Sequence, residues 1–255
     1  MLSSESERLL KLCKFVREKF DISTIILFGS TARKKVDSFS DVDLLLIFDS
    51  SKTDAELPIS IEIREFVPES IFPKNELLSF SVYSTESFAD SYRKGSLFVL
   101  HVLREGIVLY DDGFYSSLSE ENFRLSNDSL KNALEILCIR LEITEDLKKF
   151  NSYFIRCLTI FYAISRNLAF IVGALNEKPN FDRNAAFAEF AEIYPKYKEQ
   201  IKELAGLRPF FLRSAKGAEV ALPFEPNDID KVIYLREALR KLLDEVLKHV
   251  KHQHH

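Results

Sequence analysis

The sequence predicts an α+β domain followed by an all-α helical bundle. In the first part, apolar runs at residues 22–28 and 42–48 have the composition of strands and alternate with amphipathic helical patterns. Beyond residue 113, apolar residues recur every three to four positions almost throughout, which is the spacing of helices. We therefore expect a mixed twisted sheet flanked by helices, with a helical bundle after it.

The first predicted elements are a helix and two strands joined by a turn. Residues 6–20 have the apolar spacing of an amphipathic helix, and residues 22–28 are rich in β-branched and aromatic residues. A short helix is expected to begin at Ser30. The continuous apolar run at 42–48 is typical of a strand that is covered on both faces.

The remaining elements of the first part are shorter. Residues 54–69 fit a strand by alternation and a helix by apolar spacing, so both readings stay open. Alternation predicts a strand over 77–83, apolar spacing predicts helices over 86–94 and 95–104, and residues 107–110 give a short final strand.

A turn sequence, Asp111-Asp112-Gly113, is the best boundary candidate in the chain. We therefore expect a first domain over residues 1–112 and a helical bundle over residues 113–255. Proline residues mark several joins between the helices of the second part. Four helices are predicted there, over residues 130–150, 153–175, 183–194 and 228–250.

Composition excludes several classes of protein. With 46% hydrophobic and 29% charged residues, the chain has the make-up of an ordinary soluble globular protein. No apolar run approaches the roughly 18 residues that a membrane span needs, and the N-terminus lacks the pattern of a secretory signal. Neither half is strongly basic, so nucleic acid is not an expected partner. We expect a cytoplasmic protein that does not associate with a membrane.

Cysteine and histidine chemistry has little support. The three cysteines, at positions 13, 138 and 157, are far apart and match no zinc spacing. Four of the five histidines lie in the last seven residues, and His101 lies inside an apolar run, as expected of a core or rim histidine. Carboxylates must therefore carry any catalysis.

The turn after the first strand suits a phosphate group. Gly29 allows a ligand to approach the backbone closely, and Ser30 adds a hydroxyl donor at the start of a helix. Arg33, one turn further on, has a planar fork of donors that matches phosphate oxygens. A plain strand–turn–helix connection would have the same residues, so this motif alone is weak.

Two aspartates make the pattern more specific. Asp41 and Asp43 lie two residues apart at the start of the second strand, so their side chains project from the same face. Adjacent carboxylates repel each other unless a cation is present, and Mg²⁺ prefers such hard oxygen ligands together with substrate phosphates. The open alternative is a solvated strand end in which Ser40 or Asp41 caps a helix.

Gly29-Ser30, then ten residues, then Asp41-Val42-Asp43-Leu44 resembles the signature of the DNA polymerase beta-like nucleotidyltransferase superfamily, in its minimal branch. The resemblance covers about residues 5–112. It implies the transfer of a nucleoside monophosphate, with AMP and ATP as the expected pair, from an NTP with release of pyrophosphate. It also implies that Gly29 and Ser30 hold the triphosphate, with Arg33 beside them, and that Asp41 and Asp43 bind Mg²⁺ and are catalytic.

Two departures from that family stand out. Lys34 replaces a glycine that is usual after the arginine. Active relatives also have a third acidic residue on a neighbouring strand, whereas the predicted strand over 77–83 offers Ser79 and Ser81. Glu62 is the candidate for this catalytic role if residues 59–66 form the strand.

The helical half resembles the substrate or partner domains that accompany this family, including the HEPN class. It lacks the histidine of HEPN ribonucleases, so a ribonuclease role is not expected. The sequence predicts a Mg²⁺-dependent nucleotidyltransferase acting on a hydroxyl of a small molecule or protein, and leaves a homo-oligomer open. The alternative is a weak or inactive nucleotide-binding module that regulates a partner, as in toxin–antitoxin or defence systems.

Overall fold

The computed structural model forms two compact units, Met1–Leu125 and Ser126–His255. Within them, the structure describes residues 4–33, 41–49, 60–72 and 78–252, with side chains for residues 7–33, 41–49, 63–72 and 78–250. Lys34, at which the sequence departs from the family pattern, lies outside the described residues.

The first unit begins with the elements that the sequence predicts. Helix α1 spans Ser4–Lys19 and strand β1 spans Ile22–Phe28. The single helical turn α2 spans Gly29–Ala32, and strand β2 spans Val42–Phe48. The predicted bounds of both strands are confirmed. Their continuous apolar sequences follow from burial, since almost every residue of either strand is shielded from solvent.

The unit continues with three helices and two strands. Helix α3 spans Ser60–Phe66, and strand β3 spans Leu78–Ser84. Helices α4 and α5 span Thr85–Arg93 and Leu97–Glu105, and strand β4 spans Ile107–Asp111. The last four elements lie within about two residues of their predicted positions.

The four strands form one mixed sheet in the order β3-β2-β1-β4. Strand β1 is antiparallel to β2 and β4, whereas β2 is parallel to β3. Phe28, the last residue of β1, therefore lies opposite Asp43 at the start of β2. The end of β1 and the beginnings of the other three strands share one edge of the sheet. This mixed sheet with flanking helices confirms the predicted α+β class.

The two faces of the sheet are covered by different helices. One face packs on α1 through a core that includes Leu12, Val16 and Ile25. Side chains alternate along a strand, so Phe28 projects from the opposite face. Its ring contacts Phe98 of α5 edge to face, with ring centroids 5.6 Å apart. Helix α5 therefore covers the face that carries Phe28.

In the ambiguous segment over residues 54–69, residues 54–59 lie outside the described residues, and the described part contains a helix and no strand. Ile63 and Val67 are both buried and lie four residues apart, which is the spacing of one helix face. The alternation of isoleucine with polar residues was therefore misleading. Glu62 lies on α3, so the strand placement on which its catalytic role depended is wrong.

The boundary between the units falls after Leu125, whereas the turn sequence predicts it after residue 112. Residues 113–125 belong with the first unit because their side chains pack against α4. Tyr115 contacts Phe88, and Phe123 contacts Tyr92 with ring centroids 5.4 Å apart. Turn chemistry at residues 111–113 marks the end of a strand and not the end of the unit.

All regular secondary-structure elements in the described residues of the second unit are helices. The predicted helix over residues 130–150 ends at Glu142, where the buried Thr144 hydroxyl donates to the carbonyl of Leu141 at 2.6 Å. The unit contains α6 (Asn127–Glu142), α7 (Ile155–Leu175), α8 (Arg183–Ile193), α9 (Lys198–Ala205), α10 (Arg208–Lys216) and α11 (Ile229–His252).

Helix α7 is the apolar centre of this unit. By length and composition alone it is a candidate to cross a membrane, but 67% of its most apolar window is buried inside the protein. Cys157, Phe161 and Leu168 are among its fully buried residues. This burial is the pattern of a core helix in a bundle.

We predict that Asp111→Asn destabilises the first unit. Asp111 Oδ1 accepts hydrogen bonds from Thr24 Oγ1 at 2.8 Å and from the Tyr115 amide at 2.9 Å, and Oδ2 accepts from the Ser116 amide at 2.9 Å. Burial opposes ionisation of Asp111, but these hydrogen bonds outweigh it and hold its pKa below the ordinary value. The asparagine cannot replace the Oδ2 acceptor, so we expect a loss of about 1–2 kcal/mol in unfolding free energy at pH 7.

The depressed pKa fixes the pH dependence of this difference. The stabilisation is fully present above the unfolded-state pKa of about 3.9 and is lost as the pH falls through the lower folded-state pKa. Urea unfolding at several pH values measures the difference, and Asp90→Asn, at an exposed ion pair with Lys94, is the control that should change little. An equal difference at all pH values would contradict the assignment.

Candidate active site

The two predicted metal ligands lie at the beginning of β2. Asp43 is the second residue of the strand and Asp41 immediately precedes it, so the alternation of side chains puts both on the same face. Both residues are partly exposed. The hydroxyl of Thr31 in α2 donates to the Asp41 carbonyl at 2.9 Å. This hydrogen bond ties the start of β2 to the turn that follows β1.

Gly29 lies directly against the Asp43 carboxylate. Its φ of +74° is in the left-handed region, which favours glycine, and a Cβ added there would lie 2.6 Å from Asp43 Oδ2. The bare Cα of Gly29 therefore lets the carboxylate approach the turn. The Gly-Ser and Asp-Val-Asp motifs, separated in sequence, meet at this contact. Ser30 follows in the first turn of α2 and is partly exposed.

Arg33 ends the turn and is held by α5. Its Nη1 donates to Glu105 Oε2 at 2.5 Å, and the two side chains are 18% and 19% exposed. Its Nε is buried and has no hydrogen-bond partner among the described residues. The phosphate-binding role predicted for Arg33 stays a prediction, with part of the guanidinium engaged by a carboxylate.

Glu105 has a second partner on its own helix. His101 Nε2 lies 3.0 Å from Glu105 Oε2, the same oxygen that Arg33 contacts. Burial opposes ionisation of Glu105, but the hydrogen bonds from His101 and Arg33 and the charge of Arg33 outweigh it, so its pKa is held below the ordinary value. A charged Glu105 is therefore the stable form at neutral pH. Sequence reasoning missed this residue, because nothing in its local pattern separates it from a solvated glutamate at a helix end.

The neighbouring strand carries no carboxylate. Ser79 of β3 lies opposite Asp43, and Ser81 lies opposite Leu45. Glu62 lies on α3 instead, at a position whose side chain is outside the described residues. No group of three or more His, Cys, Asp or Glu side chains is placed to hold a metal in the part of the chain that the structure describes. Within that part, the site offers two carboxylates and a serine where a third acid is expected.

The sequence of this unit matches a known family. Residues 9–88 match the family described as the nucleotidyltransferase domain. The first unit contains a nucleotidyltransferase domain. The match extends from α1 into α4 and includes all six predicted site residues. Glu105 and His101 lie outside the matched segment.

Two solved structures resemble this chain, and the first of them shares its fold over most of its length. Spectinomycin adenyltransferase from Enterococcus faecialis, solved with ATP and spectinomycin, is 13% identical, with a TM-score of 0.50 over 92% of this chain and 99% of that one. A nucleotidyltransferase-like protein from Exiguobacterium sibiricum is 12% identical, with a TM-score of 0.36 over 93% of this chain and 75% of that one. No curated protein has a significantly similar sequence.

The nucleotidyltransferase domain also has an open cleft of about 530 Å³ at the opposite end of its sheet. The cleft lies beyond the end of β2, where Asp49 contributes, whereas Asp43 lies at the start of that strand. It therefore does not belong to the candidate active site. Its lining includes Lys14, Arg17, Asp21, Asp49, Tyr110 and Asp112.

We predict that Gly29→Ala damages the active site more than it damages the fold. The new Cβ would displace the Asp43 carboxylate and strain a left-handed backbone position, which costs about 1–2 kcal/mol. The loss of unfolding free energy should therefore stay near that value, while nucleotide binding falls at least about tenfold because Asp43 moves. Thermal unfolding and calorimetric titration with MgATP measure the two effects. Gly217→Ala is the control, since its φ of +63° lies in the same left-handed region and a Cβ there would have no atom within 4 Å.

Proposed function

We propose that the protein is a Mg²⁺-dependent nucleotidyltransferase that transfers a nucleoside monophosphate, AMP, from ATP to a hydroxyl group and releases pyrophosphate. The observation that carries this proposal is the contact between Gly29 and the Asp43 carboxylate. It brings a phosphate-sized turn and a pair of carboxylates to one edge of the sheet. The match of residues 9–88 to the nucleotidyltransferase domain supports the same chemistry.

The residues present fit a magnesium–nucleotide complex. Asp41 and Asp43 are partly exposed carboxylates on one face, and Mg²⁺ takes such hard oxygen ligands together with water and substrate phosphates. When bound, Mg²⁺ would neutralise the charge that develops on the phosphate oxygens during transfer. The amides at Gly29 and Ser30 and the Ser30 hydroxyl would bind the triphosphate. Arg33 adds positive charge to the same turn.

The reaction needs a nucleophile and an outlet for its proton. The acceptor oxygen attacks the α-phosphorus of the NTP, and the bond from that phosphorus to the pyrophosphate oxygen breaks. The hydroxyl proton passes to a base during this step. We do not propose Glu62 as that base, because the role required residues 59–66 to form a strand, and Glu62 lies on helix α3. The hydroxyl proton therefore passes to solvent or to an oxygen of the substrate phosphates.

A small molecule is the acceptor that we propose to test first. The spectinomycin adenyltransferase structure that shares the fold contains ATP and spectinomycin. That likeness supports ATP as donor and a small hydroxyl-bearing acceptor, with a protein hydroxyl as the other option. We propose that the helical unit, residues 126–255, recognises the acceptor or a partner protein.

We also propose that the protein acts in the cytoplasm, where NTPs are abundant. Its three cysteines are free thiols. Burial raises the pKa of Cys13 to about 11 and that of Cys157 to about 12, so these two thiols stay protonated and unreactive at neutral pH.

A second candidate function is a nucleotide-binding module that regulates a partner and transfers little or nothing. The observation that favours it is Ser79, which lies opposite Asp43 on a strand without acidic residues. A site without a positioned base still binds a metal–nucleotide complex, because the turn and the two aspartates do not depend on that base. The two functions differ in turnover and not in binding.

We predict that Asp43→Asn lowers Mg²⁺-dependent nucleotide transfer at least about 100-fold, since it removes a charge that the metal and the transition state require. Transfer from α-labelled ATP to a panel of hydroxyl-bearing acceptors measures the effect. Asp21→Asn, an exposed acid at the opposite end of the sheet, should transfer at the wild-type rate. Equal transfer by both variants would remove the aspartate pair from the mechanism.

We predict that Ser79→Glu separates the two candidate functions. If the protein is a slow transferase, a carboxylate opposite Asp43 should supply the missing base and raise the transfer rate at least about tenfold, within the range that general bases contribute. Ser79 is exposed, so the longer side chain has room. Ser81→Glu, opposite Leu45, is the matched control. Nucleotide binding without transfer in the wild type and both variants would favour the binding module.

A further inference from the structure

The C-terminal end of helix α5 contacts the last residue of the Gly29–Arg33 turn. Glu105, the last residue of α5, accepts from Arg33 Nη1 at 2.5 Å, and Arg33 is the residue that caps α2. The Arg33 amide in turn donates to the Gly29 carbonyl at 3.2 Å, which closes the turn. The ion pair is largely shielded from solvent, so it is screened less than a surface pair.

The same helix contacts the residue before the turn. The His101 ring meets the Phe28 ring edge to face, with centroids 5.8 Å apart and an interplanar angle of 87°. Phe28 is the last residue of β1 and immediately precedes Gly29. Because His101 Nε2 also lies 3.0 Å from Glu105 Oε2, both contacts belong to one connected group.

The end of α5 is itself fixed to the sheet. The Gly106 amide donates to the Val102 carbonyl at 2.8 Å and ends the helix. A Cβ at Gly106 would lie 2.7 Å from Ile26 Cγ2 in β1 and would also clash with the Val102 carbonyl oxygen. The helix end therefore packs against β1 as closely as the backbone allows. A helix held in this way is a rigid support for the turn.

We propose that Glu105 and His101 are positioning residues that clamp both ends of the Gly29–Arg33 turn and so set its affinity for the nucleotide triphosphate. This proposal rests on the proposed function for its consequence, but the clamp itself is a property of the protein alone. The proposal also changes the main role of Arg33 from binding phosphate to holding the turn in place through its ion pair with Glu105. Neither Glu105 nor His101 needs to touch the substrate.

Hydrogen exchange of the protein without nucleotide tests the clamp. Glu105→Gln keeps the shape of the side chain and removes its charge, and His101→Phe keeps the ring against Phe28 and removes the hydrogen bond. We expect the Arg33 amide, whose hydrogen bond to the Gly29 carbonyl closes the turn, to exchange at least about tenfold faster in both variants, while the amides of β2 keep their protection. Unchanged exchange at the Arg33 amide would overturn the proposal.

A matched control lies on the same helix. Arg104 is paired with Glu120 at 3.3 Å on an exposed surface, so Arg104→Ala also removes an ion pair from α5 but leaves the clamp intact. This variant should exchange at the Arg33 amide as the wild type does. An equal increase in the control would show that any loss at the end of α5 loosens the turn, which would also overturn the proposal.

Nucleotide affinity tests the consequence. We expect Glu105→Gln to weaken MgATP binding and to raise KM for ATP by about tenfold each, with kcat changed less than about twofold, because the turn binds ground state and transition state alike. Arg33→Ala should weaken binding to a similar degree. The double variant Arg33→Ala with Glu105→Ala should be no weaker than Arg33→Ala alone, since both changes remove one interaction.

The outcomes separate this proposal from the proposed function. Multiplying effects of Arg33→Ala and Glu105→Ala in the double variant would mean that Arg33 binds phosphate independently of Glu105, which contradicts the clamp. If the wild type binds no nucleotide, the proposed function fails, and hydrogen exchange still decides whether the clamp exists. If the wild type binds MgATP and the exchange of the Arg33 amide is unchanged in the variants, only the clamp fails.

Discussion

The candidate site depends on the approach of one carboxylate to one glycine. Asp43 reaches the turn only because Gly29 has no side chain and adopts a positive φ. Antiparallel pairing of β1 with β2 sets this contact, since it puts Phe28 opposite Asp43. Any residue with a Cβ at position 29 would push the carboxylate away from the place where a phosphate meets the backbone.

The rest of the first unit supports that contact from two directions. The Thr31 hydroxyl joins α2 to the backbone at Asp41. From the other side, α5 holds Arg33 through Glu105, and its own end is packed against β1 at Gly106. The close packing at Gly29 and Gly106 explains why a one-turn helix with few internal hydrogen bonds is held in one place. Preorganised donors of this kind bind phosphate without first paying the entropy of ordering a loop.

Much of the fold followed from the sequence, because burial leaves a direct pattern. The runs 22–28 and 42–48 are covered on both faces, so their apolar composition gave their bounds. Residues 54–69 fitted both the two-residue period of a strand and the three-to-four-residue period of a helix. The burial of Ile63 and Val67, four residues apart, favours the helix. Helices α9 and α10 were not predicted, because Pro209 was interpreted as a break. Proline is well tolerated in the first turn of a helix, and Pro209 lies in the first turn of α10. The Arg33–Glu105 pair joins residues 72 positions apart, and no local sequence pattern predicts such a contact.

Calorimetric titration of the full chain with ATP, in the presence and absence of Mg²⁺, tests the central claim most directly. The claim is that the Gly29 turn and the Asp41/Asp43 pair form one metal–nucleotide site. It predicts one ATP bound per chain, with affinity that falls at least about tenfold when Mg²⁺ is removed, because the two aspartates then repel the triphosphate. No binding of ATP, or binding that is equally tight without Mg²⁺, would contradict the claim.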